Sequence, residues 1–249
     1  MSSSQWNEII EGAATAKSVD DIHKICVKLC QQLGFEQFLY GVQFPNSFVK
    51  SHIVIISAYC PEWFSHYEAM GYMKADPTIL HCQTQILPLC WDEVDFSANE
   101  NGKIARQIMT EAREFGLKSG FCIPVHGANG EVAVLSFASS VEPGKAKARI
   151  LEGIPYAQFC SGFIHEAANR VLNASQLLLT KDTLTRREKE CLLWAAEGKT
   201  AWETSQILDV AERTVNFHLQ NATAKLNVSN RAHAVARAIS QHLILPQLA

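Results

Sequence analysis

Residues 184–239 read LTRREKECLLWAAEGKTAWETSQILDVAERTVNFHLQNATAKLNVSNRAHAVARAI, and this stretch decides the fold of the C-terminal part of the chain. Apolar residues recur at helical spacing in four groups: Leu192, Leu193 and Ala196; Ile207 and Leu208; Val215, Leu219 and Leu226; Ala234, Val235 and Ile239. A short turn at 209–212 separates the second group from the third. The pattern predicts a compact all-α, four-helix domain with a helix-turn-helix at its centre and a recognition helix over 213–226. Asn216, Phe217 and Gln220 fall on the face opposite Val215, Leu219 and Leu226. Asn and Gln suit adenine, and Phe suits a thymine methyl, so this face reads as the one that enters the major groove. Lys199, Thr200, Arg213 and Lys225 are expected at phosphates. Thr214 and Asn221 complete the expected DNA-contacting set. Ala211 stands at the helix start, where it offers no side-chain cap.

The formal net charge of −3 looks wrong for a partner of double-stranded DNA until it is divided along the chain. Residues 1–179 hold 13 Lys+Arg and 18 Asp+Glu, a balance of −5, whereas residues 180–249 hold 9 and 7, a balance of +2. The basic surplus lies where a phosphate-facing surface is needed, but it is small, which implies modest affinity for one half-site and a need for dimerisation. A length of 249 residues suits two ordinary domains, and 47% hydrophobic content fills a real core. No apolar run approaches the roughly 20 residues that cross a bilayer. The N-terminus, MSSSQWNEIIEG, lacks the regions of a secretory signal, so no membrane partner and a cytoplasmic location are expected. The eight cysteines form no CxxC pair and no zinc-like cluster with histidine, which predicts reduced, buried thiols and no metal or cofactor.

Upstream, helices are expected over 4–14 and 19–33, the latter ended by Gly34, and strands over 35–44 and 52–58. Pro61 starts a helix through residue 70. Asp76-Pro77 opens another, with Asp as N-cap and Pro at the first helical position. Residues 87–91 read as short and extended, and 103–115 as a helix. Asn129-Gly130 joins two apolar runs, GFCIPVHG and EVAVLSFAS, into a hairpin. Residues 145–172 form a long amphipathic helix with a break expected at Pro155. The order predicts an antiparallel sheet covered by helices on both faces, an α/β/α sandwich of the PAS or GAF type. The whole is then an α+β chain: a sensor and dimerisation domain over 1–172, a linker over 173–183, and the helix-turn-helix domain over 184–249.

The segment AYCPEWFSHYEAMGYMKADPTIL, followed by LCW, brings Tyr59, Trp63, Tyr67, Asp76, Pro77 and Trp91 within 33 residues. Trp63 and Tyr67 share a helix face. Aromatic stripes at helical spacing are usually core, and Asp76 can serve as a cap alone. Yet two indoles and two phenols bring four polar handles that need partners when buried, and an acid among aromatics needs a donor. A small polar amphiphile meets both needs.

The C-terminal pattern LTxRExExL, GKTxxExxxIL, RTVxxHxxNxxxKL, then R and AVxxA, resembles the output domain of the LuxR family of quorum-sensing transcription factors. The resemblance extends over nearly the whole chain: Trp63, Tyr67, Asp76, Pro77, Trp91 and Gly120 match the family's sensor positions, and Glu188, Leu192 and Gly198 its output positions. The resemblance implies an N-acyl-homoserine lactone as ligand, a homodimer on a palindromic operator, and RNA polymerase as a further partner. It implies that Trp63 donates to the lactone carbonyl, Asp76 accepts the amide N–H, Tyr59 and Ser136 donate to the acyl carbonyl, and Tyr67 and Trp91 wall the site. Leu39, Gly41, Val42, Ile79, Leu117, Cys122, Ala133 and Val134 look similar to acyl-chain contacts. Phe64 stands where some members place a charged residue. The alternative within the family is a regulator that reads another small amphiphile or binds DNA without a ligand.

Enzymatic readings fare poorly. His81 and Cys82 are adjacent, so their side chains diverge rather than pair as nucleophile and base. His66, His126, His165 and His218 show no metal-ligand spacing. No phosphate-cradling loop is present. A response regulator needs a parallel α/β receiver, which the antiparallel pattern opposes.

Overall fold

The computed structural model describes residues 3–45, 52–94, 96, 100–177 and 184–245. Two compact units are present, drawn mainly from residues 1–174 and 175–249. The first contains α1 (Ser3–Thr15), α2 (Val19–Gln32), β1 (Gln37–Phe44), β2 (His52–Ser57), α3 (Pro61–Ala69), α4 (Pro77–Thr84), β3 (Leu89–Cys90), α5 (Glu100–Glu114), β4 (Ser119–His126), β5 (Val132–Ser139) and α6 (Pro143–Leu177). The second contains α7 (Arg186–Ala196), α8 (Ala201–Leu208), α9 (Glu212–Lys225) and α10 (Arg231–Ser240). Short 3-10 turns occupy Tyr72–Lys74 and Trp91–Glu93.

The strands form one sheet in the order β2-β1-β5-β4-β3, with antiparallel pairing of β1 to β5, β5 to β4 and β4 to β3. The expected hairpin is the β4–β5 pair, in register from Ser119 opposite Ser139 to His126 opposite Val132. Side chains alternate along a strand, so each face of the sheet has its own set. Phe38, Tyr40 and Val42 of β1 point to one face and are fully buried. There Phe38 meets His23 of α2 at 5.3 Å between ring centres, and the Tyr40 hydroxyl lies 2.8 Å from Nδ1 of His165 on α6. On the other face the Tyr59 hydroxyl reaches Ser136 of β5, and Cys82 of α4 lies 3.7 Å from Cys122 of β4. The sandwich predicted from the order of elements is therefore present.

Helix ends follow local chemistry. Ser18 and Asp21 form a reciprocal capping box at α2, and Gly34 takes φ 77° just past its end. Asp76 caps α4 by accepting from the Thr78 amide, with Pro77 at the first helical position. Thr185 with Glu188 and Thr200 with Glu203 repeat the capping box at α7 and α8.

The break expected at Pro155 is absent: α6 runs unbroken from Pro143 to Leu177 with Pro155 inside. An internal proline costs about 3 kcal/mol. Here the buried stripe Ala146, Ile150, Ala157, Cys160, Ile164, Ala167 and Ala168 holds the helix to the sheet and outweighs that cost. The same helix takes in 173–177, the first part of the expected linker, while 178–183 lie outside the described residues. The extended stretch expected at 87–91 shortens to Leu89–Cys90, with Trp91 turning into the 3-10 segment.

In the smaller unit, Leu184, Cys191, Leu192, Val215, Leu219, Ala222, Leu226, Ala234, Ala238 and Ile244 form one buried cluster. All four helical groups read from the sequence contribute to it or pack against it.

Candidate ligand pocket and nucleic-acid interface

On the open face of the sheet, α3, α5 and the β3–β4 edge enclose an aromatic cluster. Trp63, Tyr72, Trp91, Ile108, Ala112, Leu117 and Ala138 are buried in it, with Tyr59, Tyr67, Ile104, Met109 and Phe115 packed against them. Trp63 lies 5.6 Å from Tyr67 and 5.4 Å from Phe115 between ring centres. Trp91 rests on Gly120: a Cβ there would stand 2.4 Å from the Phe137 carbonyl oxygen and 3.1 Å from the indole. That closeness is the physical reason for glycine at 120. The indole N–H of Trp91 is buried without an acceptor among the described residues, an unsatisfied donor of the kind that usually has an explanation.

The polar handles converge on this cluster. Tyr67 donates to Asp76 Oδ2 at 2.8 Å, while Asp76 Oδ1 accepts from the Thr78 amide at 2.8 Å and the Thr78 hydroxyl at 2.6 Å. A carboxylate has about four acceptor sites, so Oδ2 keeps one to offer. Tyr59 donates to Ser136 Oγ at 3.3 Å, and Ser136 donates to the Phe121 carbonyl at 3.2 Å. Burial pushes the Tyr59 and Tyr67 hydroxyls well above the ordinary phenol range, with the charge of Asp76 adding to both. Both phenols therefore stay protonated and able to donate.

The strand register sorts the expected acyl-chain contacts. Gly41 pairs with Val134, Leu39 with Ser136, and Cys122 with Ser136 across the next strand, so these residues share the open face. A Cβ on Gly41 would touch Val134 and Leu39, in keeping with that face. Ile79 is half-buried on α4, the helix that packs over β4 and β5. Leu117 sits inside the aromatic cluster. Val42 and Ala133 do not join them. They pair with each other one residue out of phase and point to the α2/α6 face, with Tyr40 and Leu135. The hydrogen bond from Cys82, together with burial, holds the Cys122 thiol well above its ordinary value, which keeps it an apolar filler.

Glu111, Tyr72, His66 and Gln107 join this cluster too, and none of them is assigned to the site by the sequence alone. Glu111 of α5 accepts from Tyr72 at 2.6 Å, lies 2.6 Å from His66 Nε2, and accepts from Gln107 at 2.8 Å. His66 is on the same face of α3 as Trp63 and Tyr67. Its position between them was the available signal.

In the smaller unit, Asp209 in the left-handed region ends α8, and Ala211 opens α9 with no side-chain cap, as expected. Arg213, Asn216, Phe217 and Gln220 are exposed along one face of α9, and Phe217 is 58% exposed. Thr214 and Asn221 are half-buried beside them. Thr200 is exposed, but its hydroxyl is committed to the capping box with Glu203. Lys199 is half-buried, and its carbonyl accepts from Arg231. The ammonium of Lys225, expected at a phosphate, lies 3.0 Å from the buried Glu188 carboxylate. Burial alone would raise the Glu188 carboxyl, but bonds from Thr185 and Lys225 outweigh it and leave the group below its ordinary range.

Known proteins place these two units. Residues 18–168 match the family described as "Autoinducer binding domain", and residues 182–238 match "Bacterial regulatory proteins, luxR family". The chain belongs to the LuxR family of transcriptional regulators. It is 35% identical to the transcriptional activator protein VanR of Vibrio anguillarum over 93% of this chain and 94% of that protein. It is 32% identical to LuxR of Aliivibrio fischeri over 93% and 91%. Its fold is similar to that of Escherichia coli SdiA, with a TM-score of 0.73 at 23% identity over 98% and 99% of the two chains. SdiA has also been solved in complex with octanoyl-rac-glycerol, with a TM-score of 0.70 at 22% identity over 98% of this chain and 97% of that one. This LuxR-type chain is accordingly an autoinducer-responsive transcription regulator and not an enzyme. No helix among its described residues is long and apolar enough to cross a membrane.

Proposed function

We propose that this LuxR-type regulator takes an N-acyl-homoserine lactone between the open face of the sheet and α3, α4 and α5, and then acts as a homodimer on palindromic promoter DNA. The carrying observation is the convergence of Tyr59, Trp63, Tyr67, Asp76 and Ser136 on one aromatic cluster. The remaining acceptor site on Asp76 Oδ2 suits the single amide N–H of such a ligand. Trp63 suits the lactone carbonyl, and Tyr59 and Ser136 suit the acyl carbonyl once a ligand turns their hydroxyls from Ser136 and the Phe121 carbonyl. Leu39, Gly41, Val134, Ile79 and Cys122 supply apolar surface for the acyl chain. Trp91 walls the head-group end.

An exposed apolar stripe supports the dimer reading. Leu151, Phe159 and Phe163 of α6 are 55%, 53% and 37% exposed, and Phe159 packs against Trp6 at 5.6 Å between ring centres. Scattered apolar residues need no explanation, but these three share one face of α6, which supports its burial against a second copy. Two recognition helices then read half-sites about one helical turn apart. The cytoplasm is the compartment in which such a protein meets its DNA and RNA polymerase. The relatives' names say transcriptional activator, and activation is the sense proposed for this chain.

The test is a panel of lactones with butanoyl to dodecanoyl chains, together with octanoyl glycerol, followed by thermal denaturation. Ligand at 100 times its dissociation constant stabilises the folded state by about 2.7 kcal/mol. Asp76→Asn preserves an N-cap of equal quality but removes the charged acceptor, so ligand affinity should fall by roughly 1.5–3 kcal/mol with little change in the ligand-free midpoint. A chain that no lactone stabilises, or an Asp76→Asn variant that responds like wild type, overturns the assignment. Stabilisation by octanoyl glycerol alone would favour a different small amphiphile.

A further inference from the structure

Trp63, the proposed donor to the lactone carbonyl, and Tyr67, which donates to Asp76, lie among rings that converge on a second carboxylate. His66 sits 6.0 Å from Trp63 and stacks on Phe115 at 5.8 Å with 24° between planes. Tyr72 meets His66 edge-on at 6.0 Å and Tyr67 edge-on at 5.8 Å. Trp63, His66, Tyr67, Tyr72 and Phe115 thus form one continuous ring-to-ring assembly. Its two polar edges, His66 Nε2 and the Tyr72 hydroxyl, both lie 2.6 Å from the same oxygen, Glu111 Oε2. The other oxygen accepts from Gln107 at 2.8 Å.

The placement on α5 matters. Ile108 and Ala112, flanking Glu111 along the helix, are buried in the cluster with Trp63. One face of α5 therefore supplies both the apolar floor under the indole and the carboxylate that ties down its neighbours. Side chains that touch a ligand hold it well only when their own supports fix them. His66 and Tyr72 are those supports, and Glu111 joins them across three separate segments: α3, the turn Tyr72–Lys74 and α5.

We infer that Glu111 is a positioning residue for the head-group end of the ligand site, setting the orientation of Trp63 through His66 and Tyr72. The inference rests on the proposed lactone reading and deepens it. Glu111 touches no ligand. Its effect is confined to the contact that Trp63 makes, namely the lactone carbonyl.

That confinement gives the experiment. Affinity is measured by quenching of tryptophan fluorescence for the tightest-binding lactone of the butanoyl-to-dodecanoyl series. It is measured in parallel for the N-acyl cyclopentylamide of the same chain, which keeps the amide and acyl groups but lacks the lactone oxygens. In wild type the lactone binds more tightly than the cyclopentylamide. In Glu111→Ala the lactone should weaken by about three- to ten-fold, the scale of one neutral hydrogen bond, while the cyclopentylamide changes little, so the ratio collapses. Tyr72→Phe keeps the ring and the fold and removes one of the two ties, and should give a smaller collapse in the same direction. Glu111→Gln, which retains one acceptor, should lie between wild type and Glu111→Ala.

Equal weakening for both compounds, with the ratio preserved, would mean a merely structural role and overturns the inference. So does a Tyr72→Phe or Glu111→Ala protein with wild-type ratio. Failure of wild type to bind any lactone is a separate result that removes the proposed function itself. Equal binding of lactone and cyclopentylamide by wild type removes the Trp63 contact and the inference with it.

Discussion

Lys225 Nζ and Glu188 Oε2 lie 3.0 Å apart, tying the end of α9 to the start of α7. The Glu188 side chain is 3% exposed and that of Lys225 24%, so this is a cation spent on an internal charge. The same carboxylate also receives the Thr185 amide at 2.7 Å.

Lys225→Ala should therefore destabilise the smaller domain rather than loosen a phosphate contact. Leaving a buried acceptor without its charged donor costs about 1–3 kcal/mol. The expected signature is a lower thermal midpoint with an unchanged dependence of DNA affinity on salt. A reduced salt slope with an unchanged midpoint would return Lys225 to the phosphate backbone.

Arg213→Ala should do the opposite. Arg213 is exposed at the first turn of α9, so its loss should weaken all sequences alike and lower the salt slope by about 1. Titrations at several salt concentrations measure this directly.

Gln220→Ala should leave the salt slope alone and relax base preference at one position per half-site. The cost for the preferred base is about 1–3 kcal/mol. Binding-site selection on the variant decides it, and an unchanged preference would place other residues in the groove.

Gly120→Ala should damage the sensor domain. The added methyl would collide with the Phe137 carbonyl and the face of Trp91, so the strand or the indole must shift. Overpacking of this kind costs about 1–3 kcal/mol. Thermal denaturation should show the loss without ligand, and lactone binding should weaken further as Trp91 moves.

Acid should expose the role of Glu111. The hydrogen bond from Tyr72, then those from His66 and Gln107, hold its carboxyl down to about 2 from an ordinary 4.5. A depressed carboxyl stabilises the fold fully above the ordinary value, and that stability fades as pH falls through the folded one. Wild type should thus lose more of its midpoint than Glu111→Gln between pH 4.5 and about 2. Parallel curves for the two proteins over that range would show that the carboxylate contributes nothing there.

The helices of the smaller domain were legible because their signals are local. Apolar period and the uncapped Ala211 lie within a turn or two of the residues they govern. Asp76 was legible as a cap for the same reason. What escaped depends on pairing between distant segments. The family resemblance put Val42 and Ala133 at the acyl chain, but their face is set by the register of β1 against β5, which neither strand displays alone. Glu111 meets partners 39 and 45 residues away, and Lys225 meets one 37 residues away. Pro155 was read as a break because the packing of α6 that tolerates it comes from the sheet.

The alternation on β1 and β5 separates two kinds of change. Leu39, Gly41, Val134 and Ser136 look toward the space between sheet and α4, whereas Tyr40, Val42, Ala133 and Leu135 weld the sheet to the helices behind it. With the ligand where we propose it, every second residue can be exchanged to suit a longer, shorter or differently oxidised signal while its immediate neighbours go on holding the scaffold together. Descendants of such a chain can switch the message they hear without first having to rebuild the receiver.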